Sequence, residues 1–389
     1  MSDALPTCMP WPYRGRPQPD ELFSSWFMRA AHAMTLKPYA LGHASWRSTP
    51  PPLTRDIDGS ANELVVALMA HRTVTPLAQC RQTLLSGYAG YLFEEHQPLG
   101  RTAWILPLGV RARTRNHPGL QYCPACMDDR PYFRRRWRVA WSTVCAAHGV
   151  RLLDRCSHCL TILAPLRART AFTCHACGVA LAENPRRLAS GGMIAFQIEQ
   201  ERILDDGWAQ LGESCFPYSV QYFETLRHLA KTISSGPRSA GLRSAIVERW
   251  GGDARPFSFS RLKEIEGLQV EDRYRLFDLV ARVLPQWPER FVEAANAARL
   301  WQSWALRDDL RPPFAYADLV STRLARPQYR PSLQEVAAAA AHLRVRSPGF
   351  NRQALVRLVG DSIHVAAVFE QERRRRRKSM VRACRDAFA

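Results

Sequence analysis

The sequence predicts a mainly α protein in which helical N- and C-terminal domains, each with a helix-turn-helix unit, flank a small tandem zinc-finger module. Three observations predict it. Seven of the 11 cysteines, with His148, crowd into residues 123–177 at one repeated spacing. On both sides of that segment apolar residues recur at i, i+3 and i+4, the period of a helix with one buried face. Beyond residue 192 the signals of β-strands are poor.

Length and charge bound the rest. The 389 residues correspond to roughly two or three domains, and 54 basic against 35 acidic side chains leave a net charge of +19. All but four of the basic residues (Lys37, Lys231, Lys263, Lys378) are arginine. Residues 1–100 balance 8 against 8, residues 101–190 carry 15 against 4, residues 191–372 carry 23 against 22, and residues 373–389 carry 8 against 1. Excess charge confined to one middle module and one tail points to a polyanionic partner. No window approaches the ~18 apolar residues of a membrane span, and no apolar secretory core is visible at the start. A cytoplasmic protein with no membrane partner is expected.

The N-terminal domain, residues 1–110, begins with a proline-rich extended lead-in over 6–19. Asp20 then offers an N-cap to a helix carrying Leu22, Phe23, Trp26, Phe27 and Ala30 on one face. After the Pro50-Pro51-Pro52 stretch, NELVVALMAHR and LAQCRQTLL form two helices across the Thr75-Pro76 break. Such a pair, residues 62–85, suits a helix-turn-helix, or plain core packing.

Residues 111–182 form the metal module. The ligand run is Cys123-x2-Cys126, Cys145-x2-His148, Cys156-x2-Cys159 and Cys174-x2-Cys177. A two-residue spacer turns two ligands toward one ion, and two such knuckles complete a tetrahedron. Disulfides, the rival reading, are disfavoured without a secretory signal. Seven residues (GVRLLDR) separate His148 from Cys156, more than a RING cross-brace leaves, so two sequential sites are expected. Both would be closed shells around structural Zn2+, with His158 and His175 as solvent-facing knuckle residues. Ahead of the ligands Arg111, Arg113 and Arg115 alternate, and in an extended chain they would share a face. Between the first two knuckles Arg134, Arg135, Arg136 and Arg138 interleave with Tyr132, Phe133, Trp137 and Trp141, an arrangement suited to phosphate on one face and core on the other.

Residues 183–192 read as a linker. The C-terminal helical domain, residues 193–372, contains QYFETLRHLAKTI, EDRYRLFDLVARVL and PERFVEAANAARLW, with Trp208, Trp250, Trp287, Trp301 and Trp304 as core. Ser332-x-x-Glu335 is a capping box, and Asn351 offers a second cap. Residues 332–359 thus read as a helix-turn-helix that presents Arg352, Gln353 and Arg357. The basic tail, residues 373–389, is either a solvated run or a phosphate clamp.

These landmarks resemble the TniQ/TnsD family of transposon target-selection proteins. The resemblance rests on PQPDELFSSWFMRAA, RDID, the stretch LQYCPACMDDRPYFRRRWRVAWSTVCAAHGVRLLDRCSHC with its closing CHACG, WPERF, PSLQEVAAAAAHLRVRS and LVRLVG. Overall size is similar to the shorter TniQ branch. The resemblance implies a non-enzymatic adaptor that binds target DNA, a resolvase-bound site or a guide-RNA complex, and recruits an AAA+ ATPase that engages the transposase. It also implies the eight zinc ligands, helix-turn-helix units at both ends and a possible homodimer.

The residues argue the same way on catalysis. There is no phosphate-binding Gly-x4-Gly-Lys-Ser/Thr loop and no HExxH. The basic module holds only Asp128, Asp129, Asp154 and Glu183, too few converging carboxylates for a two-metal nuclease. The alternatives are a zinc-containing, DNA-binding transcription regulator and, with the ligand spacing against it, a RING-like ligase.

Overall fold

The computed structural model describes residues 9–46, 52–111, 113–259, 264–306, 312–325, 331–360 and 363–386. Its contacts divide the chain into two compact units, Met1–Leu324 and Ala325–Ala389. The expected metal module is therefore not a domain by itself. Its buried side chains share one core with the helices on either side, a core running from Trp11 to Leu324.

Helices dominate both units, and the described strands form three short antiparallel hairpins. The first long helix, Phe23–Ala33, buries Phe23, Trp26, Phe27 and Met28. Its cap differs from expectation. Leu22 occupies the N-cap position, and Asp20 sits in a left-handed backbone conformation with φ 58°. The Asp20 carboxylate instead accepts from the Arg136 backbone N–H at 3.2 Å and from the Arg136 guanidinium at 2.8 Å. The pair across Thr75-Pro76 consists of Glu63–Thr73, capped by the Asn62 side chain, and a short Leu77–Arg81 helix.

Three amphipathic stretches beyond the metal ligands form Ser219–Ser234, Val270–Val283 and Glu289–Ala297. The apolar faces of the first two meet the middle of the chain in one aromatic cluster, whereas Phe291 of the third packs on Trp287 and Tyr316. Trp141 stacks on Phe223 with centroids 6.0 Å apart, Trp104 meets Phe223 and Phe277, and Phe196 stacks on Phe277 at 5.8 Å. Of the five later tryptophans expected in the core, only Trp287 is buried. Trp208 is exposed, whereas Trp250 and Trp304 are half-buried and packed against the core; the guanidinium groups of Arg202, Arg290 and Arg238 lie over the three rings. Flat cations cover these rings, so a surface tryptophan need not find a place inside.

Residues 183–192 do more than link. Ala189 donates to the Gly149 carbonyl at 2.9 Å, Arg151 donates to Arg187 at 2.7 Å, and Asn184 is buried. The segment is therefore pinned against the Val144–Cys145/Val150–Arg151 hairpin before the Gly191–Asp206 helix begins.

The second unit is a three-helix assembly of Leu333–Arg346, Arg352–Val359 and Ile363–Asp386. Both expected caps are present: Ser332 accepts from the Glu335 N–H at 3.2 Å and Asn351 from the Ala354 N–H at 2.9 Å. Val336, Ala340, Phe350, Leu355, Val365 and Val368 make its core. The start of the basic tail lies inside the third helix, and residues 387–389 lie outside the described residues. Arg376 packs over the Phe350 ring at 4.9 Å, while Arg373 and Arg374 flank Glu370.

Candidate metal centres

Each ligand pair sits where a turn of the backbone forces two side chains inward. Cys123 caps the Pro124–Asp129 helix, its sulfur accepting from the Cys126 N–H at 3.4 Å. The other three pairs use another device. The residue after the second ligand adopts positive φ and donates back to the carbonyl of the first. Gly149 does so at φ 62° to Cys145 (2.8 Å), Leu160 at 60° to Cys156 (2.9 Å) and Gly178 at 80° to Cys174 (2.9 Å). Glycine adopts that conformation without cost; Leu160, an L residue with a Cβ, does not.

The turns assemble two quartets, in chain order. Cys123, Cys126, Cys145 and His148 form the first; Cys156, Cys159, Cys174 and Cys177 form the second, and within each the ligand atoms lie within 4.8 Å of one another. The sequential arrangement is thus the one adopted, not the cross-brace. In the first, His148 Nδ1 lies 3.7, 3.2 and 3.5 Å from the sulfurs of Cys123, Cys126 and Cys145, and the Cys126 and Cys145 sulfurs are 3.6 Å apart. In the second, Cys156–Cys177 and Cys159–Cys174 are 3.7 and 3.6 Å apart. A tetrahedron with bonds of about 2.3 Å has edges near 3.8 Å, so both quartets fit an ion of zinc's size and donor preference.

The thiols themselves call for a cation. Hydrogen bonds from Cys123 and Cys145 hold the Cys126 thiol far below its ordinary range, and the same contacts push the Cys145 thiol far up. In the second quartet the Thr161 side chain and backbone draw Cys159 down to about 6, while burial raises Cys156 to about 12. Sulfurs this close cannot all be thiolates unless a divalent ion lies between them. Either quartet is then a closed four-donor shell of the structural kind. His158 is exposed, as expected, but His175 is half-buried. Asp128 lies in the knuckle helix and pairs with Arg186 at 2.7 Å.

The arginines between the first two pairs do not present a phosphate-binding face. Only a single 3-10 turn, Arg135–Arg138, forms there, so no helix with two faces exists. Arg138 is fully buried, with Asp56 at 2.6 Å, Asp58 at 3.3 Å and the Leu106 carbonyl at 2.8 Å. Arg136 bridges Asp20 and Glu201, both at 2.8 Å. Arg135 lies over the Tyr88 ring and pairs with Asp20 at 3.4 Å. Arg134 stacks on Tyr132 at 4.5 Å and points a nitrogen at the Cys126 sulfur, 3.9 Å away. A divalent ion held there by three thiolates and a neutral imidazole would carry net negative charge, and Arg134 stands where it would offset it.

The alternating trio is also separated. Val110–Arg111 and Thr114–Arg115 pair as a tight hairpin, which turns the chain between them and breaks the alternation. Arg111 and Arg113 are exposed, whereas Arg115 donates to the Leu163 carbonyl at 3.0 Å. Arg352, Gln353 and Arg357 all lie exposed on one short helix.

Sequence reasoning missed the groups that answer these cations. A second fully buried arginine, Arg273, donates to Ala140 O at 2.8 Å, Leu268 O at 3.2 Å and Gln121 Oε1 at 3.1 Å. Gln121 in turn donates to Trp137 O and Ser142 O. Gln197 reaches Thr143 N, Ser142 Oγ and Glu201. Glu266 accepts from the Trp104 N–H and from Arg227. The RDID run, Arg55–Asp58, was visible in the sequence, but nothing local showed that its carboxylates would meet Arg138.

Fold and site together define a mainly helical protein built around two Cys/His quartets able to hold metal. Residues 12–152, which contain the first quartet, match the family model described as TniQ. That family is one of transposition-associated, non-catalytic adaptors. No curated protein matches the chain. Among the described residues no helix is long and apolar enough to cross a membrane.

Proposed function

We propose that the protein is a zinc-binding target-site selection adaptor of DNA transposition. It binds target DNA or a targeting complex and recruits an AAA+ ATPase, which engages the transposase. The observation that carries this reading is the TniQ match over residues 12–152. Two structural Zn2+ ions, one per quartet, hold the first unit together. DNA is met by the second unit, where the capped Arg352–Val359 helix follows Leu333–Arg346 and leaves Arg352, Gln353 and Arg357 exposed for a groove. Of the metal-segment arginines singled out in the sequence, the exposed Arg111 and Arg113 stay candidates for contact with an anion.

Co-purification tests this directly. Tagged full-length protein should retain an AAA+ ATPase encoded beside it, and adding DNA should increase the amount retained. Recovery of promoter DNA with no ATPase would support the second reading, a zinc-containing transcription regulator. That reading draws on the same exposed Arg352–Val359 helix. Light scattering would show whether the chain is a homodimer.

A further inference from the structure

Much of this chain's arginine is committed to internal acids, as Arg29, Arg136, Arg138 and Arg227 illustrate. One surface is different. Between the Pro38–Ser45 helix, the Val110–Arg111/Thr114–Arg115 hairpin and the Pro165–Arg167 turn lies a groove walled by Lys37, Tyr39, His43, Arg113, Arg167 and Arg169. None of its lining residues is acidic. Lys37, His43, Arg113, Arg167 and Arg169 are exposed, above a floor that includes the buried Leu166 and Ala168. Asp56 and Asp58 line an adjoining pocket, and both are bonded to Arg138.

The groove concentrates positive charge. The Arg113 guanidinium lies 4.8 Å from the centre of the Tyr39 ring. Burial raises the Tyr39 phenol, and Arg115, Arg113 and Arg167 together pull it back down, which shows that the three cations share its surroundings. Arg113, Arg167 and Arg169 make no ion pair among the described residues. A concave site lined by one sign of charge focuses field lines and gathers counter-anions. Several cations gathered beside an aromatic ring suit a chain of phosphates whose sugars and bases can pack on that ring.

We propose that this groove binds the phosphodiester backbone of a nucleic acid, with Lys37, Arg113, Arg167 and Arg169 taking phosphates and Tyr39 packing against sugar or base. The inference rests on the adaptor reading only in expecting nucleic acid to be met. Its residues lie in the first unit and are distinct from Arg352, Gln353 and Arg357 of the second.

The test is fluorescence anisotropy with the full chain across a salt series. The probes are a mixed-sequence DNA duplex, a single-stranded RNA and polyglutamate. In the triple variant Arg113→Gln, Arg167→Gln, Arg169→Gln, nucleic-acid affinity should fall by about tenfold or more. Its log–log salt slope should shrink by up to about three, near 0.9 per lost duplex contact. Zinc content and melting temperature should stay as in the parent. The corresponding Arg→Lys triple should keep most of the slope. A loss confined to DNA or to RNA supports the groove and identifies which backbone it takes. Unchanged affinity and slope would overturn the proposal, as would an equal loss of polyglutamate binding. An Arg352→Ala, Arg357→Ala variant separates the two readings. If it alone loses DNA, the adaptor reading stands and the groove is refuted.

Discussion

The two quartets share ligand spacing and, in three of their four pairs, turn geometry, yet their surroundings are opposite. In the first, Cys123, Cys126 and Cys145 are buried, and the loop between its halves carries Phe133, Trp137, Arg138 and Trp141 into the centre of the unit. In the second, Cys177 is exposed and Cys159 half-buried, and the loop between its halves ends in the exposed Arg167, Arg169 and Thr170. The same chemistry is a keystone in one place and a clasp in the other. What decides is the apolar and charged cargo of the intervening loop, because binding energy at a structural ion becomes folding energy for whatever the ion orders.

That contrast can be broken at four places, in falling order of effect. Cys145→Ser should abolish soluble, folded protein, since apparent zinc binding energies of ~10 kcal/mol or more are at stake in such sites. Soluble yield and circular dichroism measure it, and a well-folded Cys145→Ser protein retaining one zinc would show the first centre to be no more central than the second.

Arg138→Met should come next, at about 3–5 kcal/mol, because Asp58 is left buried without its counter-ion. The loss should depend on pH. Burial already holds Asp58 above the ordinary carboxylate range, with Asp56 adding to the shift and Arg138 opposing it. A carboxyl whose folded pKa is raised contributes stability below its unfolded pKa and loses it as pH rises through the folded one. Removing Arg138 raises that value further, so the deficit against the parent should be largest near neutrality and shrink on acidification. Urea titrations of both proteins across that range check it; a deficit that grows toward acid would remove Asp58 from the explanation.

Cys174→Ser should cost less: metal stoichiometry should fall from two to one while most of the first unit survives. Elemental analysis with limited proteolysis reads this out, with new cleavage expected between residues 156 and 182. Loss of both ions would mean the centres fold as one. The smallest effect belongs to Leu160→Gly. Leu160 is 69% exposed at φ 60°, so little burial is forfeited when the conformational strain is relieved. A gain of up to ~1 kcal/mol is expected after glycine's own entropic cost, seen as a slightly higher melting temperature; a lower one would show that the side chain is not strained.

What could be read from the sequence follows the range of the forces involved. Metal-ligand spacing is local, so it alone picked out the eight Cys and His side chains that the fold gathers into two quartets in chain order. Helical periodicity is local too, and Ser219–Ser234, Val270–Val283 and the caps at Ser332 and Asn351 were visible in it. The arginine run was misjudged because its partners are remote. Asp20 lies 115 residues before Arg135, and Asp58 lies 80 residues before Arg138. A charge-dense segment looks alike whether water or a distant carboxylate faces it. The Arg111, Arg113 and Arg115 alternation failed for a different reason, since one hairpin turn cancels the period of an extended chain. The domain boundaries failed because apolar surface from three stretches of sequence closes over itself, which no single window reveals.

The guanidinium of Arg273 has a practical corollary for anyone dissecting this chain. It lies 133 residues from the Ala140 carbonyl and 152 from Gln121, yet both sit inside the segment that matches TniQ and Arg273 does not. Scissors applied at residue 152 would strand Gln121 and strip Trp141 of Phe223, leaving an orphaned amide and a bare indole where the interior used to be. The recognisable segment is thus a unit of ancestry, not of autonomous folding, and a serviceable truncation belongs at 324/325 instead.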